Sequence, residues 1–211
     1  RSNFIIGHLK PPRWAEDVTV AMVNLDADEL AKTAPAISVQ CDARVTLETL
    51  NARLEERPAD TARLAPWIAH LRAKDAAACA RMDAMATNDA HPIHPLRLMA
   101  EISKVIDENA IIVEDGHDTL GFCRHSLKSH RPGHRINPGT MGNVGLGVPF
   151  GIGAKAASPE SNVFVVSGDS AFGWNGIEID TACRHKLPII CVIVNNGGIT
   201  AKPQDPTAEM P

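Results

Sequence analysis

The stretch 163–200, VFVVSGDSAFGWNGIEIDTACRHKLPIICVIVNNGGIT, constrains the fold more than any other part of the chain. Two short apolar runs, residues 163–167 and 189–194, flank a segment in which residues 174–186 are predicted to be helical. Two buried strands joined by one helix form a βαβ unit, in which the strands are parallel. Both strands then end at the same edge of one sheet, where open α/β sheets bind their ligands.

Oxygen-bearing side chains follow both strands, in GDS at residues 168–170 and in NNGG at residues 195–198. The carboxylate of Asp169, the amide oxygen of Asn196 and a backbone carbonyl, for which Gly198 is a candidate, predict a ligand set for octahedral Mg²⁺. The remaining metal positions are left for phosphate oxygens and water, and helical amides after GDS favour a diphosphate. Either half alone is typical of a helix cap or a turn, but the two together favour a metal–diphosphate site.

A glycine-rich segment lies upstream, in residues 137–149, NPGTMGNVGLGVP. Its glycines, at positions 139, 142, 145 and 147, let a backbone approach a ligand closely. Small residues continue through 148–157, which is predicted to be helical. Tight packing of this helix on a strand explains the same glycines, and both interpretations stay open.

The first part of the chain has a Rossmann-like β-α-β-α pattern. Asp26 and Asp42 stand where its two strands end, so they either hold a ribose or cap the helices that follow. No GxGxxG loop supports nucleotide binding here. The predicted strands and helices are residues 19–25, 28–32, 37–40 and 44–56.

An Ala-rich helical segment, residues 61–87, links this part to the next. His91 and His94 stand beside prolines, which favours a turn that starts a helix over residues 96–106 and disfavours a helical metal pair.

A buried strand is predicted over residues 110–113, followed by a loop over 114–118. His117 in this loop is the histidine considered for a site, and a solvated loop histidine is its alternative. Residues 124–135 are basic and are predicted to lie on the surface.

Charge and cysteine usage exclude some classes of partner. The net charge of −4 does not favour nucleic acid or an anionic membrane, and no apolar run has the length of a membrane span. The five cysteines are scattered without a CxxC motif, which is typical of reduced thiols in a cytoplasmic protein.

The segment GDSAFGWNGIEIDTACRHKLPIICVIVNNGGIT resembles the thiamine diphosphate motif of the pyruvate decarboxylase and acetohydroxyacid synthase superfamily. It is most similar to the oxalyl-CoA decarboxylase and 2-hydroxyacyl-CoA lyase group, and NPGTMGNVGLGVPFGIGA resembles the pyrimidine-binding loop of the same group. The resemblance implies an α/β fold in three parts. Residues 1–57 would be the end of a Rossmann-like central domain, 58–92 a helical linker, and 93–211 a C-terminally incomplete thiamine pyrophosphate-binding domain with a parallel sheet and flanking helices.

The resemblance also assigns roles to residues, although Val144 stands where the family usually has Met, Leu or Ile. Gly142 would accept a hydrogen bond from the aminopyrimidine, Val144 would hold the cofactor bent, and Asp26 and Asp42 fall where relatives hold an adenine nucleotide portion of CoA or FAD. The metal ligands would be Asp169, Asn196 and Gly198, and the diphosphate-side residues would be Gly116, His117, Asp118, Gly168, Ser170, Ala171 and Ile199.

The implied function is a thiamine diphosphate- and Mg²⁺-dependent lyase or decarboxylase acting on a 2-hydroxyacyl-CoA or oxalyl-CoA. The alternatives are an acetolactate synthase-like carboligase acting on 2-oxo acids and a non-catalytic cofactor-binding subunit. The family's activating glutamate lies in a domain outside this chain, so the 211 residues alone are expected to be inactive. The resemblance further implies a homodimer or homotetramer with the cofactor between subunits, in the cytoplasm, or in peroxisomes of a eukaryote.

Overall fold

The computed structural model describes residues 14–199. The outer ends of the predicted domains 1–57 and 93–211 therefore lie outside the described residues. The chain divides into two compact units between residues 71 and 72. Each unit contains its own parallel sheet, as expected for an α/β protein.

The first unit has the predicted β-α-β-α order, with two strands paired in parallel from Ala21↔Ile37 to Asn24↔Gln40. A short 3-10 turn, Ala62–Leu64, precedes a long helix that crosses the division between the units and has no buried residue. The elements are β1 Ala21–Asn24, α1 Ala27–Thr33, β2 Ile37–Gln40, α2 Ala43–Glu56 and α3 Ala65–Ala86.

Asp26 and Asp42 both cap helices. Oδ1 of Asp26 accepts hydrogen bonds from two backbone N–H groups of α1, at 2.9 and 3.4 Å. Oδ1 of Asp42 does the same for α2, at 2.8 and 3.4 Å. Such side chains satisfy N–H groups that have no partner inside the helix, so the capping interpretation is confirmed.

The second unit has a four-stranded parallel sheet in the order β4-β3-β5-β6. His94 caps its first helix, because His94 Nδ1 accepts a hydrogen bond from Leu96 N at 3.2 Å. The turn predicted at this histidine is therefore confirmed. The elements are α4 Pro95–Ser103, β3 Ile111–Asp115, α5 His117–Ser126, β4 Arg135–Ile136, α6 Gly147–Ala157, β5 Val163–Gly168, α7 Asp169–Asn175, α8 Ile179–Arg184 and β6 Ile190–Val194.

Helices cover both faces of this sheet. On one face, α4 and α5 pack against Ile112 of β3 and Val166 of β5. On the other face, α6 packs against their neighbours in sequence, including Val113 and Val165. Alternate residues of a strand point to opposite faces, so a strand covered on both sides must be apolar throughout. This explains the continuous apolar runs from which the parallel sheet was predicted.

The crossover between β5 and β6 differs from the single helix predicted over 174–186. The helical structure begins at Asp169, directly after β5, and passes through a 3-10 turn, Gly176–Glu178, between α7 and α8. Helical backbone therefore begins at the proposed metal ligand itself.

The loop predicted over 114–118 is wrong at both ends, because β3 includes its first two residues and α5 its last two. β3 extends to Asp115, and Glu114 and Asp115 are each only 1% exposed. The basic segment 124–135 was also assigned wrongly at its end, because Arg135 belongs to β4 and its side chain is 27% exposed. The hydrophobic pattern of the sequence did not indicate that Glu114, Asp115 and Arg135 belong to strands. Charged residues next to an apolar run are typical of a loop, and only the structure shows the groups that they bond to inside the fold.

Within the part of the chain that the structure describes, no helix is both long enough and apolar enough to cross a membrane.

The contact between α6 and β5 predicts opposite effects for two glycines of one helix. A Cβ on Gly151 would lie 2.5 Å from Val165 Cγ2, whereas a Cβ on Gly153 would have no atom within 4 Å. We expect Gly151→Ala to destabilise the domain by about 1–3 kcal/mol through overpacking. Gly153→Ala should stabilise it by about 0.5–1 kcal/mol, because alanine is the better helix former.

Urea unfolding of the two variants and the unsubstituted protein measures both effects. Equal free energies of unfolding for the two variants would contradict the packing of α6 on β5.

Candidate active site

The register of the sheet brings three strand ends to one edge. Asp115 of β3 pairs with Ser167 of β5, and Gly168 of β5 pairs with Val194 of β6. The residues that directly follow the strands therefore lie side by side. These residues include Gly116, Asp169 and Asn195, so the structure assembles the edge that the sequence predicts.

Glycines allow the first two loops to touch. Gly116 has φ of 92°, and a Cβ there would lie 3.3 Å from Gly168 N. A Cβ on Gly168 would in turn lie 3.3 Å from Thr119 Oγ1. A side chain at either position would push the two loops apart, so the glycines allow the backbone of the two loops to pack closely at the sheet edge.

Asp169 is half-buried at the start of α7. Its Oδ1 accepts a hydrogen bond from the backbone N–H of Ser170 at 2.8 Å. Ser170 is half-buried and Ala171 is buried, so this segment is held firmly against the sheet.

The NNGG segment after β6 is a turn whose asparagine side chains bond locally. Asn195 Oδ1 accepts from Gly197 N at 3.1 Å, and Asn196 Oδ1 accepts from Gly198 N at 3.2 Å. Asn196 is exposed, and a Cβ on either glycine would meet no atom within 4 Å. Ile199, which follows this segment, is 83% exposed.

The donor set suits a hard cation. Within residues 14–199, no group of three or more His, Cys, Asp or Glu residues forms a metal site. The predicted set has a single carboxylate, from Asp169, with an amide and a backbone carbonyl as its other donors. Mg²⁺ is commonly held by one or two carboxylates together with substrate phosphates. The oxygen donors, together with the open surroundings of Gly197 and Gly198, therefore fit Mg²⁺ and a diphosphate.

His117 and Asp118 open α5 beside Gly116. The side chain of His117 is 83% exposed, and its Nδ1 lies 3.0 Å from Asp118 Oδ1. The structure thus places both residues at the sheet edge, with the imidazole in solvent.

The four glycines of the loop before α6 have two different roles. Gly139 and Gly142 have φ of 60° and 67°, and a Cβ on either would meet no atom within 4 Å. A Cβ on Gly145 would lie 2.6 Å from Trp174 Cβ, and a Cβ on Gly147 would lie 3.1 Å from Val165 Cγ1. The first two glycines therefore leave open space beside the backbone, and the last two allow close packing, so both interpretations of this segment hold. Val144, which lies between the two pairs, is 42% exposed.

Sequence reasoning missed Asp115, which connects this loop to the sheet edge. Its Oδ1 accepts hydrogen bonds from Gly116 N at 2.8 Å and Gly145 N at 3.2 Å. Its Oδ2 accepts from Gly147 N at 2.7 Å. The available signal was the pair of acidic residues that continues the apolar run 110–113 up to Gly116, because a carboxylate that is buried in a strand needs hydrogen-bond donors.

Glu114, the residue before it, is held by Arg135. The Arg135 Nε donates to Glu114 Oε1 at 2.8 Å, and a second guanidinium nitrogen contacts the same oxygen. The guanidinium also donates to the carbonyls of Leu127 and Cys123, at 3.0 and 2.7 Å. Burial, and secondarily the charge of Glu114, raise the pKa of Cys123 to about 12. That thiol is therefore neutral and is no nucleophile at neutral pH.

Comparison with known proteins finds a family match within the second unit. Residues 116–209 match the family model described as thiamine pyrophosphate enzyme, C-terminal TPP binding domain. The matched range begins at Gly116 and contains Asp169, Asn196 and the glycine loop.

Curated relatives match over most of the chain. The 2-hydroxyacyl-CoA lyase of Oryza sativa subsp. japonica is 29% identical over 203 residues, which is 94% of this chain and 35% of the relative. The oxalyl-CoA decarboxylase of Escherichia coli (strain K12) is 31% identical over 202 residues, with the same two shares. A probable acetolactate synthase of Mycobacterium bovis is 34% identical over 131 residues, or 62% of this chain and 24% of the relative. The chain thus spans 35% of the length of the first two relatives.

The buried ion pair beside the site predicts a large loss of stability when its cation is removed. The Glu114 side chain is 0% exposed, so Arg135→Met leaves a buried carboxylate without its counter-charge. We expect a loss of about 3–5 kcal/mol in the free energy of unfolding.

Arg184→Met is the matched control, because Arg184 pairs with Asp180 at 2.8 Å while both side chains are about two-thirds exposed, at 66% and 65%. That change should cost about 0–1 kcal/mol. Denaturant unfolding distinguishes the two, and similar losses would contradict the burial of the Glu114–Arg135 pair.

Proposed function

Because residues 116–209 belong to the family of thiamine pyrophosphate enzymes, we propose that the intact protein is a thiamine diphosphate- and Mg²⁺-dependent carbon–carbon lyase. Its substrate is proposed to be a 2-hydroxyacyl-CoA or oxalyl-CoA. The single observation that carries the proposal is the sheet register that aligns the ends of β3, β5 and β6. That alignment supplies glycine backbone, a carboxylate and an amide oxygen at one edge.

The metal end of the site uses residues from two loops. Asp169 and Asn196 would bind Mg²⁺ through their side chains, and Gly198 would bind it through its carbonyl. The amide oxygen of Asn196 has two lone pairs, so it can bind the metal while it accepts the hydrogen bond from Gly198 N, and the side chain is exposed. The metal would neutralise diphosphate oxygens that are lined by residues 116–118, Gly168, Ser170, Ala171 and Ile199.

The glycine loop would hold the other end of the cofactor. The Gly142 carbonyl would accept a hydrogen bond from the aminopyrimidine, and Val144 would support the bent cofactor with its apolar side chain. When bound, thiamine diphosphate would supply a nucleophilic thiazolium carbon for chemistry at a substrate carbonyl. The residues of this chain would bind and orient the cofactor and exclude water from it, while the activating glutamate is assigned by resemblance to another domain.

The extent of the matches supports an acyl-CoA substrate. The lyase and the decarboxylase match over 94% of this chain, including the first unit, whereas the acetolactate synthase matches over 62%. A 2-oxo acid carboligase is the second candidate, favoured by the 34% identity of that shorter match. A cofactor-binding subunit without catalysis is the third.

The first unit is proposed to hold an adenine nucleotide portion of CoA or FAD. The cap bonds of Asp26 and Asp42 use Oδ1 of each carboxylate, which leaves Oδ2 for a ribose hydroxyl. We also propose a homodimer or homotetramer in a reducing compartment such as the cytoplasm, or the peroxisome of a eukaryote. That location is proposed from the sequence, in which five scattered cysteines without a CxxC motif are typical of reduced thiols.

The metal assignment predicts that Asp169→Ala in the intact protein abolishes Mg²⁺-dependent binding of thiamine diphosphate, because the only carboxylate of the ligand set is removed. Isothermal titration calorimetry with and without Mg²⁺ measures this. Asp180→Asn is the control, since Asp180 is an exposed residue of the same crossover and pairs with Arg184. Unchanged cofactor affinity in Asp169→Ala would refute the metal assignment.

The substrate assignment predicts turnover of CoA esters. The intact protein loaded with thiamine diphosphate and Mg²⁺ should cleave a 2-hydroxyacyl-CoA or oxalyl-CoA with formyl-CoA as one product, which chromatography of the CoA esters detects. Acetolactate from pyruvate without CoA ester cleavage would establish the carboligase instead. Cofactor binding without turnover of either substrate would favour the non-catalytic subunit.

A further inference from the structure

The carboxylate of Asp115 lies between the two loops that are proposed to hold opposite ends of the cofactor. Asp115 is 1% exposed and is the last residue of β3. Oδ1 accepts from Gly116 N, at the diphosphate-side loop, and from Gly145 N, in the glycine loop. Oδ2 accepts from Gly147 N, where α6 begins. One buried side chain thus bonds to both loops.

The same glycine loop is held from the opposite side by Asn175. Its Nδ2 donates to the carbonyl of Gly145 at 2.7 Å. Asn175 is the last residue of α7, the helix that begins at Asp169. The two polar groups of Gly145 are therefore bonded to different elements, its N–H to β3 and its C=O to α7.

Gly145 has little freedom to move between these contacts. Its φ of 87° is a conformation that other residues rarely adopt, and a Cβ would lie 2.6 Å from Trp174 Cβ. Two residues that precede it are less restricted: a Cβ on Gly142 would have no atom within 4 Å, and Val144 is exposed. The contacts of Gly145 therefore determine where the segment containing Gly142 and Val144 lies.

We propose that Asp115 and Asn175 are positioning residues that fix the Gly145 peptide, and through it the distance between the pyrimidine end and the diphosphate end of the cofactor site. The proposal rests on the thiamine diphosphate site proposed above and adds a determinant of its geometry. Neither residue is required to touch the cofactor. Their effect passes through the backbone of the loop, as partners of binding residues commonly act.

Asn in place of Asp115 is the informative substitution. Both oxygens of the carboxylate accept hydrogen bonds from backbone N–H groups. An amide has one oxygen and one NH₂ group, so it satisfies one side and directs a donor at another donor on the other side. Asp115→Asn therefore keeps the size of the side chain and removes at least one bond to a loop.

Glu114→Gln is the matched control. Glu114 is the neighbouring residue of the same strand and is also 1% exposed. It bonds to Arg135, and to Asn137 at 3.5 Å at the start of the glycine-rich segment, but makes no bond to Gly145 or Gly147. Both substitutions remove a buried negative charge from β3. A general loss of stability appears in both variants, whereas a loss of loop position appears only in Asp115→Asn.

The experiment uses the intact protein and two readouts. Without cofactor, hydrogen–deuterium exchange should be faster at residues 143–147 in Asp115→Asn than in Glu114→Gln. With Mg²⁺ present, calorimetry should show thiamine diphosphate binding weakened by about 10- to 100-fold, while inorganic diphosphate binding stays within about 3-fold. Asn175→Ala should show the same selectivity, and it serves as the test if Asp115→Asn does not fold.

Equal weakening of thiamine diphosphate and inorganic diphosphate would assign Asp115 a merely structural role and overturn the proposal, as would unchanged affinity for both. If the unsubstituted protein binds no thiamine diphosphate, the proposed function fails. Faster exchange at 143–147 in Asp115→Asn would still establish the loop anchor in that case, and unchanged exchange would exclude it.

Discussion

The parallel pairing of β3, β5 and β6 is the constraint on which the rest of the second unit depends. Parallel strands need crossover helices, and those helices bury the sheet on both faces. Polar groups are then excluded from the strand interiors and collect where the strands end. Because all strands run in one direction, the loops that follow them meet at one edge. The register that pairs Asp115 with Ser167 and Gly168 with Val194 therefore creates the candidate site directly.

Two carboxylates, Glu114 and Asp115, lie within the central strand β3. Successive residues of a strand face opposite sides, so Glu114 and Asp115 bond to different partners. Arg135 binds Glu114 and two carbonyls of the α5 region, which joins β4 and α5 to β3. Asp115 binds the backbone of the glycine loop. Each carboxylate compensates its burial with several hydrogen bonds, and each connects a different peripheral segment to the central strand.

The residues at this sheet edge indicate which kind of cofactor would bind, but they do not indicate which substrate. Its donors, one carboxylate with amide and backbone oxygens, suit a metal–diphosphate, and the family match covers that region. The relatives act on different substrates according to their names, and this chain spans 35% or less of their length. Groups that select and activate a substrate are therefore expected outside the edge formed by residues 116–118, 168–171 and 195–199.

Local physical chemistry allowed the sequence to determine the parallel βαβ arrangement and the strand ends at which Asp169 and Asn196 lie, and to offer helix capping as one of two roles for Asp26 and Asp42. These features depend on apolar runs and on donors two or three residues away. Only the tertiary structure decided the roles of Glu114 and Asp115, because Arg135, Gly145 and Gly147, to which they bond, lie 21 to 32 residues further along the chain. The partners of Asp115 are backbone N–H groups, which every residue except proline carries and which leave no mark in the sequence. Burial of those carboxylates, and with it the position of the glycine loop, follows from how the strands and helices pack together.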